Sequence, residues 1–180
     1  MQNHKKTLFI IQAGIIAALY IVLTMLAWGF DLASGAIQVR FSEMLCILPF
    51  FTPAAIPGVT IGCLLSNIIM ASAMPDVIFG TLATLIGALG TFALRRNRWL
   101  CALPPILANA VIIPLVLIFA YHLTDAYWFL ALTVGAGEVI AILIFGEILL
   151  SALKPFRQKI FGTSESVSSA DFQKAAPAGK

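Results

Sequence analysis

Gly35–Asn67, GAIQVRFSEMLCILPFFTPAAIPGVTIGCLLSN, is the stretch on which the fold turns. An arginine and a glutamate, Arg40 and Glu43, stand three residues apart at the mouth of an apolar run. The chain then turns through prolines and enters a second apolar run that carries one amide, Asn67. Charges in such surroundings are costly, and they face a cavity, a partner or each other. The stretch reads as two membrane segments, with its charges the first place to look for a ligand.

The rest of the chain has the same character. It is 61% hydrophobic and only 11% charged, whereas a soluble domain is about half apolar and about a quarter charged. The reading is an all-α, polytopic membrane protein with one compact domain over residues 1–160. Residues 161–180 are rich in Ser, Ala and Lys and poor in apolar residues, the composition of a disordered tail. The net charge of +3 comes from basic residues at the ends of apolar runs, so it is no nucleic-acid signature. Cys46, Cys63 and Cys101 all lie inside apolar runs, which reads as packing rather than a disulfide framework or a zinc site.

A helix needs roughly 20 apolar residues to cross the hydrocarbon core. Six candidate spans follow: Leu8–Trp28, Phe41–Phe51, Ala54–Ser72, Val77–Leu94, Leu100–Leu123 and Trp128–Leu153. The second is short, extended to Val39 or incompletely spanning. The first is too long for a signal-peptide core and lacks a clean cleavage site after it, so it reads as retained. Lys5 and Lys6 precede span one, Arg95, Arg96 and Arg98 fill the loop after span four, and Lys154, Arg157 and Lys159 follow span six. Six spans put all three clusters on one side, which the positive-inside rule makes cytoplasmic, with both termini inside. The opposite loops carry Asp31, Arg40, Asp76 and Asp125.

Depth follows from a rise of ~1.5 Å per residue. Arg40 and Glu43 open span two at the outer face, Asn67 lies in the outer half of span three, and Asp76 opens span four. Asn109 is near the middle of span five, and Glu138 lies ~16 Å below the outer end of span six. Five of the six spans thus bring a polar group toward one outward-facing cavity. Glu147, about two and a half turns deeper than Glu138, points to the cytoplasmic half and is left out of the site.

Each of these residues also has a plainer role open to it. Arg40 and Glu43 at i, i+3 pair with each other. Asp76 is a first-turn acid, and Asn67 and Asn109 are interhelical hydrogen-bond glue. Glu138 is harder to place this way, because it stands in VGAGEVI with no cation nearby in sequence. Pro105 and Pro114 each free a carbonyl four residues earlier, at Cys101 and Ala110, which lines a cavity or accompanies a simple kink. In span one, Ala13/Ala17 and Gly14/Ala18 form two overlapping pairs that let another helix approach closely, inside the bundle or in another protein. Gly58/Gly62 is a similar, weaker pair.

No phosphate-binding loop, H-E-x-x-H or G-x-S-x-G motif is present. His4 and His122 lie at opposite faces and share no metal. The chain is therefore expected to be no enzyme, with no catalytic residues, metal or cofactor of its own.

Several segments together resemble the queuosine-precursor (QueT) family of substrate-binding S components in energy-coupling factor (ECF) transporters. They are YIVLTML, then GAIQVRFSEMLCILPFFTPAAIPGVTIGCLLSN, DVIFGTLATLIGALGTFALRRNRWLCALPPILANAVI and VGAGEVIAILIFG, covering most of residues 13 to 146. The R-F-S-E followed by LPFFTPAAIPG is long and specific; the later segments are weaker alone but fall in the right order. The resemblance implies a six-helix protein of the bacterial cell membrane that captures a 7-deazaguanine outside the cell. It implies partners as well: a transmembrane coupling protein and two ATPases that supply the energy, with Ala13 and Ala17 similar to the family's A-x-x-x-A docking contact. A deazaguanine offers adjacent N–H donors to one carboxylate, for which Glu138 is the choice, and a carbonyl to an Asn amide or Arg40. Glu43 and Asp76 are candidates for a cationic substituent, Asn67 and Asn109 for the remaining ring polar groups, and Phe41, Phe79 and Trp128 for stacking. Rival readings are an S component for another vitamin, a stand-alone proton-coupled transporter using Glu138, and a scaffold without ligand.

Overall fold

In the computed structural model of the protein, residues 2–30 and 40–161 are described. Asp31, Val39 and all of the proposed tail after Phe161 lie outside them, while Phe161 itself closes the last helix. The described residues are all helical or connecting. Helix α1 (Gln2–Gly29) is followed by a 3-10 helix, Phe41–Phe50, then α2 (Ala55–Ile69) and α3 (Met74–Ala93). A short turn leads into α4 (Leu103–Tyr121). The last apolar run comprises α5 (Tyr127–Glu138), a π-helical stretch Val139–Gly146, α6 (Glu147–Leu153) and, after one more turn, α7 (Arg157–Phe161).

Four segments are long and apolar enough to cross a membrane: Lys5–Gly29, Met74–Ala93, Leu100–Tyr121 and Tyr127–Phe161. The other two expected spans are shorter. Ala55–Ile69 has 15 residues, ~22 Å at α-helical rise. Phe41–Phe50 has ten, ~20 Å at the 3-10 rise of about 2.0 Å, against a hydrocarbon core of about 30 Å. The lipid-facing character is plain on α1, where Ile10, Ile11, Ile15, Leu19 and Val22 are exposed.

The short 3-10 helix is the hub. It packs against α1, α2, α3 and the π-helical stretch, and eight of its ten residues are buried. Glycines allow its neighbours to close around it. A Cβ on Gly58 would lie 2.9 Å from Ile16 Cβ and 3.0 Å from the Ala13 carbonyl, and one on Gly62 only 2.6 Å from Tyr20 Cβ. The Gly58/Gly62 pair is therefore the seam between α2 and α1. Ala17 is buried, and its carbonyl would meet the same Gly62 Cβ at 3.1 Å. Ala13 and Ala17 thus present backbone to α2, while the overlapping pair Gly14/Ala18 faces outward, with nothing within 4 Å of a Cβ built on Gly14. Pro105 stands in the first turn of α4, where a missing N–H costs least, so the expected interior break is confined to Pro114. The Cys101 carbonyl accepts the Thr91 hydroxyl at 2.8 Å.

One end of the bundle is tied by a polar knot. Gln12 donates to the Ile160 carbonyl at 2.9 Å and accepts from the Thr52 hydroxyl at 3.0 Å. Phe51 stacks on Phe161 with ring centroids 5.3 Å apart. The 51–54 turn, α1 and the end of the described chain meet there.

Candidate functional site

Where α1, α2 and α4 end and α3 begins, a cavity of about 430 Å³ opens, within the range of small-molecule sites. Its walls combine the apolar Ala27, Trp28, Met70, Leu117 and Leu123 with polar Thr24, Arg40, Asn67, Ser72, Asp76 and Tyr121. The geometry follows from local structure. Arg40 is extended, immediately before the 3-10 helix, so its side chain leaves the helix axis toward α3. Asp76 sits in the first turn of α3 behind Pro75, where an acid complements the helix dipole. Ala71, in the turn joining α2 to α3, has φ 52°, the left-handed region that a residue with a Cβ seldom adopts.

Arg40 and Asp76 form a loose ion pair, Nη2 to Oδ2 at 4.0 Å. Tyr121 donates to the same Oδ2 at 3.0 Å, and its oxygen accepts the Ala73 N–H at 3.3 Å. Asp76 Oδ1 is buried and has no hydrogen-bond partner. The Asn67 amide donates to the Asp76 carbonyl at 3.5 Å and approaches the Cys63 sulfur at 3.7 Å. The alternative i, i+3 pairing of Arg40 with Glu43 gives way to this cross-helix arrangement.

Glu43, one 3-10 turn further in, is only 2% exposed. It accepts from Tyr20 at 2.5 Å, from Cys46 at 3.1 Å and from Asn109 at 3.4 Å. The Cys46 contact reflects the 3-10 geometry, in which residues i and i+3 eclipse. Glu138 lies within electrostatic reach of Glu43 and Arg40 and within hydrogen-bonding reach of the Asn109 side chain, and its buried Oε2 has no partner. It is the last residue of α5, at the junction with the π-helical stretch, a deviation that recurs at functional sites. Arg40, Asn67 and Asp76 thus line the cavity, while Glu43, Asn109 and Glu138 form a buried layer outside its lining.

Glu147 is engaged elsewhere: its carboxylate pairs with Arg98, whose guanidinium also reaches the Ser151 hydroxyl at 2.8 Å. Of the aromatic candidates, Phe79 and Trp128 are largely exposed and absent from the cavity wall, and Phe41 meets Phe145 edge-on at 5.7 Å. Lipid-facing positions on α3 and α5 account for the first two. Tyr20 and Tyr121 are the site residues that sequence reasoning passed over. Their signal is a phenol in an apolar run, whose hydroxyl seeks a partner once buried. Among the described residues, no group of three or more His, Cys, Asp or Glu is arranged to hold a metal ion.

A family model described as QueT transporter matches residues 10–155. The queuosine precursor transporter QueT of Lactococcus lactis subsp. cremoris (strain MG1363) is 44% identical over 84 residues, 47% of this chain and 49% of that protein. The chain thus spans about half the length of that curated relative. No solved structure matches.

Proposed function

The chain belongs to the QueT transporter family, and from that premise we propose that it is the substrate-binding S component of an ECF transporter that captures a 7-deazaguanine queuosine precursor outside the cell. The observation that carries this reading is the cavity lined by Arg40, Asn67 and Asp76 at one end of an apolar helical bundle. In this reading six segments cross the bilayer, the two short helices Phe41–Phe50 and Ala55–Ile69 among them. The basic clusters lie inside, so the cavity opens outward. The multi-pass protein has no ATP-binding loop, and a transmembrane coupling protein with two ATPases supplies the energy. Ala13 and Ala17 remain the proposed docking contact; as they pack on α2 here, docking through them requires the α1–α2 seam to open, whereas Gly14 and Ala18 already face outward.

Ligand recognition assigns the adjacent N–H donors of the ring edge to Glu138, whose unpartnered oxygen supports that role; because Glu138 and Asn109 lie behind the cavity wall, this assignment requires the ligand to enter deeper than the present lining. The ring carbonyl and remaining acceptors and donors go to Arg40, Asn67 and Asn109. Glu43, already accepting three hydrogen bonds, holds Tyr20 and Asn109 in place. The test is calorimetric titration of the detergent-purified protein with 7-aminomethyl- and 7-cyano-7-deazaguanine, with guanine and riboflavin as controls. Binding of a deazaguanine alone supports the reading; riboflavin binding points to another vitamin, and no binding by folded protein removes the ligand assignment.

The same unpartnered oxygen of Glu138 favours one alternative, a stand-alone proton-coupled transporter. That version requires gradient-driven uptake by the isolated protein in liposomes, whereas the S-component reading requires co-purifying ATPases.

A further inference from the structure

Three carboxyl groups, on Asp76, Glu43 and Glu138, lie within electrostatic reach of one guanidinium, that of Arg40, and Asp76 is the one in contact with it, at 4.0 Å. They are not equivalent. Glu43 already has donors on both oxygens, from a hydroxyl, a thiol and an amide. Glu138 is outside the cavity lining. Asp76 alone of the three lines the cavity, 4% exposed, with one oxygen shared between Tyr121 and a guanidinium 4.0 Å away and the other without a donor. The flank of Oδ1 is Gly80, where a Cβ would come within 3.1 Å of it, so the helix offers no side chain there.

A buried carboxylate oxygen lacking a donor is costly, and a charged donor satisfies it better than a neutral one. Resting on the deazaguanine reading above, we propose that Asp76 is the specificity-determining residue of the site, selecting ligands whose ring substituent carries a primary ammonium over neutral isosteres. An ammonium group fills the missing contact at Asp76, whereas a nitrile brings no donor and leaves the oxygen unsatisfied. The Tyr121 hydroxyl positions the carboxylate for this contact.

The experiment is parallel titration of the full chain with 7-aminomethyl- and 7-cyano-7-deazaguanine, for the wild type, Asp76→Asn, Tyr121→Phe and Glu147→Gln. A charge-assisted contact of this kind is expected to favour the aminomethyl compound by about ten- to a hundred-fold in the wild type. Asp76→Asn is expected to collapse that ratio toward one, Tyr121→Phe to narrow it, and Glu147→Gln to preserve it. Equal affinity in the wild type, or a ratio unchanged in Asp76→Asn, overturns the selectivity while leaving the deazaguanine reading intact. Where Asp76→Asn does not fold, the wild-type ratio and Tyr121→Phe decide: an unchanged ratio in Tyr121→Phe overturns the proposal. If folded wild-type protein binds neither compound, the deazaguanine reading fails, and this proposal with it.

Discussion

Glu138 and Glu147 are buried acids on the same apolar run, yet they meet different neighbours. Each has one oxygen without a donor, but Glu147 is ion-paired with Arg98, whereas Glu138 has no cation at ion-pair distance among the described residues. Glu138→Gln is therefore expected to weaken deazaguanine binding by about ten- to a hundred-fold, the worth of a charge-assisted hydrogen bond, and Glu147→Gln to leave it within about two-fold. Titration of the two variants checks this, and comparable losses at both would sink the assignment of Glu138. Tyr20 tests the layer around Glu43. Tyr20→Phe removes the 2.5 Å donor from a buried carboxylate and is expected to cost about 1–3 kcal/mol of stability, read as a lower melting temperature in detergent. An unchanged melting point would mean that Glu43 draws its stabilisation from Asn109 and Cys46. These partners show why some residues were legible at this scale and others were not. Acids and amides in apolar runs announce themselves because burial without a partner is so unfavourable. A tyrosine does not, since its ring is as much at home in a core as at a membrane interface.

At the scale of elements, the long helices were legible because an unbroken run of about 20 apolar residues matches the thickness of a bilayer and little else. Phe41–Phe50 was legible as short but not as a 3-10 helix, because a continuous apolar run hides its own period. The choice between the Ala13/Ala17 and Gly14/Ala18 pairs was equally hidden: adjacent positions differ by one step around the helix, and only packing on Gly58 and Gly62 decides which faces α2. That packing makes a prediction. Gly62→Ala places a Cβ 2.6 Å from Tyr20 Cβ, and the resulting separation of α1 from α2 is expected to cost about 1–3 kcal/mol. Gly14→Ala meets nothing within 4 Å and, as a helix-interior substitution, is expected to be neutral or stabilising by up to ~1 kcal/mol. Thermal melts of the two variants in the same detergent provide the comparison. A tolerated Gly62→Ala would show that the α1–α2 seam yields without loss.

For the whole molecule, the question is how far the pair of short helices travels. Phe41–Phe50 and Ala55–Ile69 are joined by the 51–54 turn, so together they enter and leave from the same side. Six full crossings, or four with this pair re-entrant, consequently place every other loop identically, and loop charges cannot tell them apart. The turn itself can. Thr52 bonds Gln12, Gln12 bonds Ile160, and Phe51 stacks on Phe161, so the turn is anchored to the α1 and α7 segments that carry Lys5, Lys6 and Lys159. In the six-span reading, a turn held at that level lies at the edge of the bilayer, not in its middle. Pro53, half-buried at the tip, is the position to probe, because the three native cysteines are all buried and give little background. Pro53→Cys is expected to react with a membrane-impermeant thiol reagent from the cytoplasmic side alone, as is Asn97→Cys, while Asp125→Cys reacts from outside. Protection of Pro53→Cys from both sides, with the other two behaving as expected, would make the pair re-entrant. The cavity would then sit above a half-membrane plug, and any route for a ligand past it would require the 3-10 helix to move.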